Sequence, residues 1–276
     1  MHRRLPHPRH IALAAFCVAG ALFILSPLAI VILTSFSATA YNVFPPQEYS
    51  LRWYETLAAQ GAFYGAALRS VVLATATMAI ALLIGTLASY ALVKYALRGR
   101  DLIKGMLLAP IVLPNIVLGV ALFIFFVRIG TVNSYPSLLI THVLVVTPFV
   151  VAITGAAFAN FDWSTEEAAM DLGAGPVETF LRVVLPQVRA GVVMAGVFAW
   201  IISFDQVETT LFLVRPGQST LPIEMFLYLQ KWQDPTIAAL SSILILAAGV
   251  VVVALSIAGR GRTPADIIKQ QREGSG

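Results

Sequence analysis

Four acidic residues, Glu166, Glu167, Asp171 and Glu178, crowd into residues 164–187 of a chain in which only 12% of residues are charged. Acids in such a cluster can cap helices or meet a partner. A second pair, Asp205 and Glu208, interrupts an otherwise apolar run at about 190–213. Their spacing is just short of a helical turn, so a helix there sets both carboxylates on one face, suited to receiving a cation. The competing reading is an ion pair with Arg69, Arg128 or Arg215. His142 stands alone in apolar surroundings; it either hydrogen-bonds a neighbouring helix or serves proton or substrate passage. His2, His7 and His10 have no cysteine or acid cluster beside them, so no metal site is expected. No G-x-S-x-G or other nucleophile arrangement occurs. No Gly-Lys pair exists anywhere in the chain, so a phosphate-binding loop is excluded. Catalysis by this chain is not expected.

The elements that must position these residues are set by hydropathy. About a quarter of a soluble domain's residues are usually charged; half that fraction, with a mean hydropathy of +0.84, indicates a membrane protein. No Asp, Glu, Lys or Arg occurs in 10–47, 70–93, 105–127, 129–161 or 235–259. Each run exceeds the ~20 residues that a helix needs to cross a ~30 Å hydrocarbon core. Membrane-barrel strands would be alternating segments of ~10 residues, and these runs are continuous. The predicted fold class is all-α, a polytopic membrane protein with six transmembrane helices at about 11–34, 66–94, 104–127, 136–158, 188–213 and 236–258. The single Cys17 forms no intrachain disulfide.

Six spans place both termini on one side. Only Arg52, Arg69, Arg128, Arg215 and Lys231 fall in the opposite segments, so the positive-inside rule makes both ends cytoplasmic. The basic residues sit at helix ends and form no patch for nucleic acid. The first run, about 24 residues, is longer than the 7–15 of a signal-peptide core, so it is read as a retained helix, kinked at Ser26-Pro27. In the outer segment 41–65, Leu51, Trp53, Tyr54 and Leu57 predict a short amphipathic helix. Its role is an interfacial anchor, since aromatic rings favour that depth, or a docking surface for an outside partner. Pro110, Pro114 and Asn115 break the third span near its middle, giving either a kink or a wet lining, because freed carbonyls in lipid need partners.

Within 164–187, Ser164 followed by Glu167 predicts a capping box, and the acids suit the positive end of a helix dipole. Gly173 supplies a left-handed stop. Gly175-Pro176 starts a second short helix, which Pro186 is expected to end. The stretch is a hairpin on the cytoplasmic surface, either a solvated cap for the bundle or a docking knob with Met170 and Leu172 between its acids.

Glu167-Ala168-Ala169, Gly173 and Leu185-Pro186 resemble the EAA signature of permease subunits of binding-protein-dependent ABC importers: E-A-A, three residues, G, nine residues, I-x-L-P. Val183 stands where that family usually has Ile. The resemblance implies the type I importer permease fold as a single domain over 1–276, with a coupling loop at about 159–187 and a periplasmic segment at about 35–65. It implies that Glu166, Glu167, Ala168, Ala169, Asp171, Gly173, Leu185 and Pro186 join the chain to a cytoplasmic ATPase, with Glu167, Ala168, Ala169 and Gly173 as the contact core. ATP and Mg would be bound by that partner, and no cofactor by this chain. Two ATPases, a second permease (a different chain being favoured) and an external binding protein complete the implied assembly in a bacterial inner membrane. The stretch 203–245 resembles polyamine (spermidine/putrescine) permeases, and related permeases for iron, opines and aminoalkylphosphonates share much of it. Asp205, Glu208, Asn115 and His142 are the candidate pathway residues. A stand-alone secondary carrier would show paired inverted repeats, and none is evident.

Overall fold

The computed structural model describes residues 8–41 and 44–259. Its elements are α1 (Pro8–Ser35), α2 (Arg52–Ala59), α3 (Gly61–Lys94), α4 (Arg100–Val112), α5 (Asn115–Arg128), α6 (Tyr135–Ala159), α7 (Ser164–Asp171), α8 (Pro176–Thr179), a π-helical turn (Phe180–Val184), α9 (Leu185–Asp205), α10 (Thr210–Leu213), α11 (Leu221–Lys231) and α12 (Thr236–Gly259). No strand occurs among the described residues; only an isolated bridge pairs Ser37 with Tyr49. The all-α expectation therefore holds. Of the six spans expected, the described residues give four, or five if a bent pair counts as one. Leu13–Ser35, α3, α6 and the continuous run Pro176–Asp205 are long and apolar enough to cross a membrane. α4 and α5 qualify together as one span bent by 105°, and the apolar part of α12 described here, Thr236–Val251, is shorter. His2, His7 and the tail after residue 259 lie outside the described residues.

The described residues form two compact units. One comprises those up to Gly61 and those from Tyr228 onward; in it α12 packs on α1 and α2. The amphipathic helix predicted from Leu51 to Leu57 exists as α2, but its tryptophan does not face lipid. Trp53 is buried, and its indole Nε1–H donates to the Ser37 carbonyl at 2.7 Å. The Tyr54 hydroxyl pairs with Ser35 Oγ at 2.7 Å. The Arg52 guanidinium lies 4.4 Å from the Trp53 ring centroid, covering the outer face of the indole. Trp53 is thus a fold-internal pin, because its N–H finds a backbone acceptor at the end of α1.

The second unit, Ala62–Leu227, is built on α3, α6 and α9. Lipid offers no hydrophobic drive for helices to associate, so close approach through small residues does the work. Ala81, Val146, Val150, Ala195 and Ala199 form the buried seam. A Cβ on Gly85 would sit 2.7 Å from Val150 Cγ1, and one on Gly191 would sit 2.5 Å from Ala157 Cβ. Between the helices, Thr154 Oγ1 donates to Ser89 Oγ at 2.8 Å, and Ser89 Oγ donates to the Val151 carbonyl at 3.0 Å. Gly191→Leu is expected to lower stability by about 1–3 kcal/mol, the usual cost of overpacking. A shifted thermal unfolding midpoint in detergent reads this out. Gly249→Leu, where among the described residues an added Cβ meets nothing within 4 Å beyond its own helix backbone, should leave the midpoint unchanged.

Candidate functional site

The acidic hairpin forms, with two departures from expectation. α7 starts at Ser164, but no capping box closes it: the N-cap position is Trp163, which already has helical dihedrals, φ −66 and ψ −19, and whose own side chain makes no capping bond. Asp162 does that work from outside. Its Oδ1 accepts the Ser164 N–H at 3.1 Å, and the Thr165 hydroxyl donates to its carbonyl at 2.8 Å. At the other end, the Ala174 N–H donates to the Ala169 carbonyl and the Gly173 N–H to the Met170 carbonyl. That pair of bonds is a Schellman stop, and it needs the left-handed φ of +92 that Gly173 adopts.

Pro176 then opens α8, as expected for proline at a first helical position. Pro186 does not end the helix that begins there. α8, the π turn and α9 run on as one helix from Pro176 to Asp205. Proline brings no N–H and a ring that crowds the preceding turn. The wide turn just before it, closed by the Leu185 N–H on the Phe180 carbonyl, supplies that room without breaking the axis.

A buried ion pair holds this hairpin to the bundle. Glu166 is buried, and its Oε1 accepts from Lys94 Nζ at 2.7 Å. The Tyr90 hydroxyl donates to the same oxygen, and Lys94 Nζ also reaches Tyr90 Oη at 2.8 Å. Tyr90 and Lys94 lie one turn apart on the last turns of α3. Aromatic rings surround them: Tyr90 lies 4.9 Å from Phe180, 5.7 Å from Phe158 and 5.9 Å from Trp163, centroid to centroid. Phe158, Phe161, Val184 and Val188 fill the base. Glu166 was expected among the partner-facing acids; it faces inward instead, because the Lys94 ammonium waits within reach of the first turn of α7.

The outward face differs in character. Glu167, Ala168, Asp171 and Gly173 are exposed and Ala169 is half-buried. Leu172 is 90% exposed and Val177 70%. Leu185 is half-buried and Pro186 exposed at the hairpin's root. Glu178 and Arg182 pair at 2.8 Å on the surface, where such pairs contribute little. Glu167 and Met170 line a crevice of about 300 Å³ with Lys94, Tyr95 and Trp163.

The remaining candidates separate. The third span is broken: Leu113 is extended, as a residue before proline tends to be, and α5 starts at Asn115. The fifth span was expected to run to 213, but α9 stops at Asp205 and Gln206 is extended, with ψ 106. Asp205 and Glu208 therefore do not share a helix face, because Glu208 lies in a turn. Neither forms a salt bridge among the described residues, so the ion-pair reading with Arg69, Arg128 or Arg215 does not hold. The two breaks meet. Gly119 permits this: a Cβ there would sit 2.9 Å from Thr209 Cα and 3.3 Å from the Glu208 carbonyl. Beside that contact is a cavity of about 370 Å³ lined by Pro110, Asn115, Gln206 and Glu208 among others. Asp205 and His142 do not line it.

His142 is 1% exposed. Its Nδ1 meets Ser203 Oγ and its Nε2 meets Thr210 Oγ1, both at 2.9 Å. Thr210 Oγ1 already donates to the Gln206 carbonyl at 2.6 Å, so it accepts from Nε2–H, and Nδ1 accepts the Ser203 hydroxyl. With both nitrogens bonded, to Ser203 in α9 and Thr210 in α10, His142 spans the 206–209 break. Sequence reasoning missed Tyr90 and Lys94 in the anchor and Gln206 in the cavity. The one available signal was a lysine at the end of an apolar run, which topology alone had already explained.

No family model matches the chain. It is 29% identical over 248 residues to the spermidine/putrescine transport system permease protein PotC of Escherichia coli K12, covering 90% of this chain and 94% of that protein. It is 33% identical over 284 residues to the molybdenum transport system permease protein ModB of Mycobacterium bovis, covering 96% of this chain and 98% of that protein. Among solved structures, a bacterial ABC transporter involved in the import of the acidic polysaccharide alginate matches with a TM-score of 0.71 at 16% identity, over 95% of this chain and 100% of that chain. At that identity the likeness is one of fold.

Proposed function

Because this chain belongs to the permease subunits of type I ABC importers, we propose that it forms half of an ATP-driven import pathway and couples to a cytoplasmic ATPase through the hairpin 164–187. The supporting observation is the hairpin's two-sided build. Its outer face offers Glu167, Asp171 and the exposed Leu172 and Val177, while its inner face is locked to α3 by Glu166 and Lys94. A knob rigidly joined to a helix end can transmit a push, and alternating access needs such rigid-body motion. In this reading six spans cross a bacterial inner membrane and both termini are cytoplasmic. ATP and Mg are bound by the partner ATPase, a second, different permease completes the pathway, and an external binding protein delivers the cargo.

The cargo proposed is a polyamine or related small cation. The likeness to PotC supports it, and so does Glu208, an acid with no salt bridge among the described residues, at the cavity between the two helix breaks. An anionic cargo would meet that carboxylate unfavourably. Direct binding of candidate amines to the external binding protein tests this; no affinity for spermidine or putrescine would overturn it.

The coupling role is tested with Glu167→Lys and Gly173→Val in proteoliposomes holding the whole assembly. Valine at a φ of +92 is strained by roughly 1–3 kcal/mol, and Glu167→Lys reverses a charge on the exposed face. Both variants should insert normally and leave ATP hydrolysis running while uptake is lost. Wild-type uptake by both would refute the docking role.

A further inference from the structure

We propose that the second unit holds an anionic phospholipid at the end of α3 opposite the hairpin, in a cavity between α3, the start of α6 and the loop after α10. This goes beyond the import reading and does not depend on it.

The cavity, about 230 Å³, is lined by Arg69, Arg215, Gln218, Ser134, Tyr135 and Thr220 at its polar side, with leucine and valine beneath. No acidic residue lines it, and neither arginine forms a salt bridge among the described residues. The first turn of α6 adds the positive end of a 25-residue helix. Thr220 Oγ1 is buried without a hydrogen-bond partner among the described residues. The site is also rigid. Arg69 Nε donates to the Ser219 carbonyl at 2.9 Å, and the Leu221 N–H donates to Ser70 Oγ at 2.7 Å. Pro216-Gly217 turns the loop tightly, with the Gln218 N–H on the Arg215 carbonyl and Gly217 at a φ of +77. Three cationic or donor features thus converge on one spot, and no lining residue is negative.

Depth selects the ligand. α3 has 34 residues, about 51 Å at 1.5 Å per residue, well beyond the ~30 Å of hydrocarbon. Arg69 is the last charged residue before the charge-free run 70–93, so its guanidinium lies where lipid phosphates lie. One turn deeper, Val72 and Leu73 continue the wall with Leu138 and Leu213, and Leu68 and Val72 are about half exposed. Guanidinium at phosphate depth above an apolar wall fits a headgroup and the first carbons of its acyl chain. A cationic cargo would be repelled here, which sets this cavity apart from the one at Glu208.

The test is native mass spectrometry of the full chain released from nanodiscs of phosphatidylglycerol or of phosphatidylcholine with the same acyl chains. One retained phosphatidylglycerol and no retained phosphatidylcholine is the expected result. Arg215→Gln should weaken retention about fivefold, the typical effect of one basic residue at an anionic surface, and Arg215→Glu should abolish it. Val72→Trp, which fills the apolar wall and keeps both arginines, should abolish it as well. Equal retention of both lipids, or unaltered retention in Arg215→Glu, overturns the proposal. So does equally tight binding of inorganic phosphate or of an acidic peptide with no lipid present.

Discussion

Glu166→Ala is expected to cut stability by about 3 kcal/mol and to disconnect the hairpin from the bundle. The size follows from burial. Breaking a buried ion pair by removing one partner costs about 3–5 kcal/mol, and the lower end applies because the Lys94 side chain keeps 21% exposure and can reach water. Tyr90 also loses the acceptor of its hydroxyl. Replacing both charges, Lys94→Met with Glu166→Leu, should recover most of the stability, because no charge is then left unpaired. Thermal unfolding of the single and double variants measures the coupling directly. Full stability of the Glu166→Ala variant would show that the pair does not fasten the loop. Uptake should fall in Glu166→Ala and return in part in the double variant, since the aromatic packing around Tyr90 remains.

Gly119→Leu should reduce uptake by about tenfold or more. The added side chain meets Thr209 Cα and Phe212 Cδ2, each 2.9 Å from the Cβ position, and the first of these is backbone that cannot rotate away. Overpacking of this kind costs about 1–3 kcal/mol, and ~1.4 kcal/mol spent in one state of a transport cycle already corresponds to tenfold in rate. The wedge pushes α5 from the 206–209 break and deforms the cavity at Glu208. Glu208→Gln keeps the shape and removes the charge, so it should lower uptake of a cationic cargo while leaving protein yield and unfolding unchanged. Asp205→Asn, off the cavity lining, should do less. Wild-type uptake by both Gly119→Leu and Glu208→Gln would remove the cavity from the pathway.

Much of the hairpin was legible in the sequence. Gly173 and Pro176 have narrow backbone preferences, so their places in a stop and a start followed from residue type alone. Pro186 has an equally strong preference, yet its outcome depended on how the preceding turn relaxed. A π turn is a cooperative response of several residues, and no single letter announces it. The capping box failed for a related reason: Ser164 and Glu167 have the right spacing, but Asp162 accepts the Ser164 N–H that Glu167 would have reached, the Trp163 carbonyl accepts the Glu167 N–H that Ser164 would have reached, and Glu167 stays in solvent.

Composition by itself determined that this chain is helical and lies in a membrane, because uncharged runs of bilayer length have no other way to satisfy their backbone in lipid. Residue type also placed the hairpin and the break at Pro114. Only the tertiary structure decided that α9 stops at Asp205, that the two breaks meet across Gly119, which acid turns inward, and that His142 is a brace. Those outcomes rest on distances between α3, α5, α6, α9 and their loops, far apart along the chain. A helix's face and depth follow from local pattern, but which lysine waits opposite a glutamate is settled by packing.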